Sequence, residues 1–84
     1  MHTVELLDEV MHVAREAGYQ VRQEWLGGNR GGACEIKGQR WIFVDLADSP
    51  WEQLQQICRV LAVSDAGKLP TASPRLQSML KLAA

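Results

Sequence analysis

A chain of 84 residues has room for one hydrophobic core and is too short for two independently folding domains. Apolar residues make up 46% of it and charged residues 23%, a globular rather than a disordered composition. Nine Lys or Arg against ten Asp or Glu leave a formal charge of -1, too little to draw nucleic acid or anionic lipid by a long-range field.

Leu7, Val10, Met11, Ala14 and Ala17 recur every three or four residues, with Asp8, Glu9, His12, Arg15 and Glu16 between them, the pattern of an amphipathic helix. Thr3 is placed to cap its start and Gly18 to end it in a left-handed conformation. From Tyr19 the period changes to two. Tyr19, Val21 and Trp25 alternate with Gln20, Arg22 and Glu24, which predicts a half-buried strand.

Gly27-Gly28-Asn29-Arg30-Gly31-Gly32 breaks that strand, since glycine loses more backbone freedom on ordering than any other residue. A strand over Ala33 to Lys37 follows, then Gly38-Gln39 as a type II′ turn, then a strand over Arg40 to Leu46. That register sets Ile36 across from Trp41 and Cys34 across from Phe43 on one face, with Glu35 and Ile42 on the other. Trp41-Ile42-Phe43-Val44 is apolar on both sides and marks the central or best covered strand.

Ser49-Pro50-Trp51-Glu52 combines an N-cap, a proline at the first helical position and a glutamate that can bond back to the cap. The helix it opens buries Trp51, Leu54, Ile57, Cys58 and Leu61 and ends before Gly67. Ser73-Pro74 repeats the cap ahead of Leu76, Met79, Leu80 and Ala83, predicting a short last helix. All ten acids precede residue 67, whereas Lys68, Arg75 and Lys81 follow it, so this last segment is weakly basic.

The residues that commonly carry chemistry are sparse. His2 sits at the terminus, and His12 lies on the wet helix face between Asp8 and Glu16. The chain has no His-Glu-x-x-His motif, and Cys34 and Cys58 lack the spacing of a zinc knuckle or a redox pair, so neither a metal nor a cofactor is expected. Asp45, Asp48 and Glu52 gather near one strand-to-helix junction and keep a small metal-dependent enzyme open as an alternative. The glycine-rich loop precedes a strand rather than a helix, unlike a phosphate-binding loop. Gly28, Arg30 and Gly31 are therefore candidates for a ligand or partner loop. No Gly-x-Ser-x-Gly elbow is present, and Ser49 and Ser73 serve as helix caps.

The order helix, three strands, helix is similar to the double-stranded-RNA-binding domain. That resemblance implies three antiparallel strands and a Lys-rich start to the second helix, where this chain has Ser49-Pro50-Trp51-Glu52-Gln53. Residues 1 to about 63, with Gly31-Gly32-Ala33-Cys34-Glu35 and Trp41-Ile42-Phe43-Val44-Asp45, resemble the core of small bacterial zinc-peptidase-like domains related to immunity-repressor-cleaving proteins. In those the second helix supplies the metal ligands. Here it reads Gln55-Gln56-Ile57-Cys58-Arg59, so the resemblance implies a relative without that activity. The chain also resembles small uncharacterised bacterial proteins.

The expected architecture is one α+β domain over residues 1–84: a helix, a three-stranded antiparallel sheet, a helix and a short C-terminal helix. The expected role is non-catalytic and exerted through a protein partner or a homodimer, with Trp25, Trp41 and Phe43 as interface residues. A nucleic-acid-binding module is the other alternative and requires Arg22, Arg30, Lys37 and Arg40 to share one surface. The opening Met1-His2-Thr3-Val4-Glu5 has no basic stretch followed by an apolar run, as a signal peptide would, and Trp41 to Leu46 is too short to span a bilayer, so no signal peptide, no membrane contact and a cytoplasmic setting are expected.

Overall fold

The structure, a computed structural model, describes residues 3–27, 31–62 and 72–83. Its elements are α1 (Thr3–Glu16), β1 (Tyr19–Glu24), β2 (Gly32–Ile36), β3 (Gln39–Asp45), α2 (Pro50–Ala62) and α3 (Pro74–Ala83). The expected α+β order of helix, three strands, helix and short last helix is the order found.

The helix ends follow from local chemistry. Gly18 takes φ +97° and its amide donates to the Arg15 carbonyl, closing α1 as only a glycine does without strain. At α2 the Ser49 hydroxyl accepts from the Glu52 amide at 3.2 Å and donates to the Glu52 carboxylate at 3.1 Å. The reciprocal capping bond thus runs between side chains rather than back to the Ser49 amide.

The sheet is mixed, in the order β1-β3-β2. β2 and β3 pair antiparallel as expected, whereas β1 runs parallel to β3, with Tyr19 beside Arg40 and Glu24 beside Asp45. This corrects the all-antiparallel sheet and departs from the three antiparallel strands implied by the RNA-binding resemblance. β3 is the central strand, and the chain crosses its end between Glu24 and Gly32. Asp45, 7% exposed, fixes that crossing by accepting the Ala47 amide at 2.9 Å and the Leu26 amide at 3.4 Å through Oδ1.

The hairpin turn is Lys37-Gly38, with φ of 51° and 81°, the two left-handed residues of a type I′ turn. Cys34 consequently pairs with Trp41 and Ile36 with Gln39, two positions away from the expected register. A slip of two preserves the faces, so Cys34, Ile36, Trp41 and Phe43 still share one side.

The other side carries the core. Ile42, Val44 and Tyr19 join Leu7, Val10, Val13 and Ala14 of α1, Leu54, Ile57, Cys58 and Leu61 of α2, and Leu76 and Leu80 of α3 in one buried cluster. Both α1 and α2 therefore cover a common side of the sheet. Trp51, expected in the buried stripe of α2, is 48% exposed, and Gln53 is buried instead. Trp51 stands in the first turn of α2, where it lines a groove of about 260 Å³ with Cys58, Met79 and Leu82.

Candidate functional site

With the helices gathered on the inner side, the outer side of the sheet has no second layer among the described residues. Trp41 and Phe43, two apart on β3, project from it with ring centroids 5.7 Å apart and planes 8° from parallel. Neither ring belongs to the core cluster. β1 edges this face with Arg22 and Glu24, paired at 2.7 Å, while β2 adds the exposed Cys34 and Ile36.

At the end of β3 the outer face dips into a depression of about 350 Å³ lined by Glu24, Leu26, Gly31, Gly32, Cys34 and Phe43. Gly32 makes it: with φ +152° and no side chain, it leaves bare backbone beside Phe43, its partner across the ladder. The structure thus brings Gly31, a candidate loop residue, next to Phe43, a candidate interface residue. Trp25, 75% exposed, follows the end of β1 and has no ring contact with the Trp41–Phe43 pair. Gly28 and Arg30 lie outside the described residues.

The basic residues do not assemble. Arg22 is on the outer side of β1, whereas Arg40 faces the other way, its guanidinium 4.4 Å from the centroid of the Tyr19 ring and donating to the Ala17 carbonyl at 2.9 Å. A shared phosphate-binding stripe through Arg22 and Arg40 is therefore not formed.

The three carboxylates near α2 are likewise engaged separately. Asp45 holds the crossing backbone, Glu52 bonds Ser49, and Asp48 accepts from Gln56 Nε2 at 2.8 Å. Among the described residues no group of three His, Cys, Asp or Glu side chains is placed to hold a metal ion. A polar chain that sequence reading missed occupies this junction: Gln23 Nε2 donates to Gln53 Oε1 at 2.9 Å, and Gln53 Nε2 to the Asp48 carbonyl at 2.8 Å. Its signal, a glutamine among the helix positions next to Leu54, is not distinguishable from a wet-face residue without the sheet beneath it.

The two thiols differ sharply. Cys34 is exposed, and Cys58 is buried between α2 and its neighbours, where desolvation pushes its pKa from 9.0 up to about 11. A neutral buried thiol contributes stability that is present below pH 9.0 and lost as pH rises through about 11. In dilute native protein at pH 8, an aromatic disulfide reagent is expected to consume one thiol per chain, with Cys58 reacting only on unfolding. Equal rates for both would show that the α2 packing opens readily.

The sequence matches no protein-family model and no curated protein, and no solved structure matches the fold. Among the described residues no helix is long and apolar enough to cross a membrane.

Proposed function

We propose that this chain is a non-catalytic contact module that binds a protein partner through the outer face of its sheet, in the cytoplasm of a bacterium. The observation supporting it is the stacked Trp41–Phe43 pair on a face that the helices leave uncovered. Fold maintenance does not require large rings there, because the core is closed on the other side by Ile42 and Val44. Both rings are half-buried, so each offers only part of its area to a partner, and aromatic side chains are enriched at interface centres. Two free thiols suit a reducing compartment.

A photoreactive phenylalanine analogue at Phe43, compared with the same group at the exposed Arg15 on α1, tests this reading in cells that carry the protein. Discrete adducts to another protein at position 43 and none at position 15 are expected. Equal labelling at both positions, or none at 43, would remove the outer face as the contact surface.

A further inference from the structure

We propose that a second copy of this chain docks on the free edge of β2, giving a two-fold dimer with one continuous six-stranded sheet. The surface is the strand edge rather than the Trp41–Phe43 face, so this inference goes beyond the function proposed above and does not depend on it.

Strand order leaves β2 at the border of the sheet, and Ala33, Cys34, Glu35 and Ile36 are exposed on both faces. Its only charge is Glu35, which lies on the helix side of the sheet across from Arg40, and the strand carries neither lysine nor proline, two of the residues by which edges are commonly protected. The turn fixes which backbone groups are free. A two-residue type I′ turn makes Ile36 and Gln39 a hydrogen-bonded pair, and alternation along the ladder then gives Cys34–Trp41 and Gly32–Phe43 the same status. Ala33 and Glu35 are left with N–H and C=O turned to the open edge.

An antiparallel copy related by a two-fold axis at Cys34 satisfies all of these groups. Ala33 of each copy exchanges both backbone bonds with Glu35 of the other, so the one charged side chain faces alanine. Centring the axis on Glu35 instead would oppose two carboxylates directly. The same register sets Ile36, 46% exposed, opposite Gly32 of the other copy. Gly32 is the bare position that opens the depression beside Phe43, and an isoleucine is the branched apolar side chain that fills such a notch. The knob and the notch are on one strand, four residues apart, and the two-fold axis brings each onto its complement twice.

This register also makes Cys34 its own partner in a non-hydrogen-bonded pair, with Cα atoms about 4.5 Å apart, within the range that a disulfide spans. Oxidised glutathione would then join the two sulfurs, taking up two electrons and the two thiol protons and leaving as two molecules of glutathione. That bond is a reporter of the register, not a requirement of the dimer.

The interface is small against the roughly 1,200 Å² of a standard complex, so the dimer is weak and reversible. Sedimentation over a dilution series up to about 1 mM, a concentration at which a weak millimolar dimer is half formed, is expected to show monomer and dimer in exchange. Ile36→Glu, which puts a charge into the apolar notch, is expected to raise the dissociation constant at least tenfold. Ala33→Pro, which removes a free edge donor but no bond to β3, should do the same while leaving the circular dichroism unchanged. Oxidised glutathione should yield a covalent dimer from the wild type, less from both variants and none from Cys34→Ser. A strict monomer at the highest concentration would overturn the proposal. So would a dimer indifferent to both Ile36→Glu and Ala33→Pro, or one in which Cys34 does not cross-link.

Discussion

Replacing Gly31 with alanine is expected to cost about 3 kcal/mol of unfolding free energy, at the upper end of the range for forcing extra atoms into packed structure. A β-carbon built there would lie 2.3 Å from the Phe43 carbonyl oxygen and 3.1 Å from its carbon. Both are backbone atoms of the central strand, held from both sides by β1 and β2, and they cannot rotate away as a side chain would. The third neighbour, Gln56 Oε1 at 3.4 Å, is already buried without a hydrogen-bond partner. Either the crossing segment lifts off the end of β3, weakening the Asp45 contacts to Leu26, or β2 starts later and shortens. For a domain of this size the loss corresponds to a melting point lower by roughly 12–24 °C. Gly27→Ala is the control, because a β-carbon there meets nothing within 4 Å, although its φ of +62° carries a smaller strain. Urea unfolding of the two variants should separate them by at least about 1 kcal/mol, and equal losses would refute the close-approach argument.

The crossing that makes Gly31 sensitive is also where sequence reading stopped. Alternation in Tyr19 to Glu24 identifies a strand and its wet face but is the same read in either direction, so it does not distinguish a parallel from an antiparallel neighbour. The glycine-rich segment lies between β1 and β2, and the strand order sets β2 on the far side of β3 from β1 rather than beside it. The turn misled in a related way: Gly38 supplies the positive φ that a hairpin needs, but Lys37 shares it, which a lysine rarely does. Features set by residues adjacent in sequence were legible. These include the Ser49-Pro50 and Ser73-Pro74 starts, the Gly18 stop and the central position of the strand apolar on both sides. The same run left unresolved which face would be covered. The helices choose Ile42 and Val44 and leave Trp41 and Phe43, the expected interface residues, on the other side. Their choice depends on the register of α1 and α2 against the sheet, a long-range matter. Of the candidate site, Trp41, Phe43 and Gly31 converge, while Trp25 stands apart from that pair of rings.

Glu9→Ala is expected to cost about 2 kcal/mol, more than an exposed acidic residue on a helix would suggest. The wet-face position of Glu9 in α1 gives no hint of its role, because its partner lies 64 residues away. Its two carboxylate oxygens accept from the Ser73 amide at 2.7 Å and the Ser73 hydroxyl at 2.8 Å, and that hydroxyl in turn accepts from the Leu76 amide at 3.2 Å. A negative charge is thereby fixed at the start of α3, where the helix dipole and unpaired amides favour one. α3 has only ten residues and would be marginal alone, so its order depends on burying Leu76 and Leu80 and on this bond to α1. Alanine would leave the Ser73 amide without its acceptor. Glutamine, which keeps an acceptor and loses the charge, should cost about half as much. The effect should be local before it is global: in native-state hydrogen exchange, amides of α3 are expected to lose protection before those of β3. If Glu9→Ala costs less than about 0.5 kcal/mol, with α3 still exchanging alongside the core, apolar contact alone holds the last helix in place.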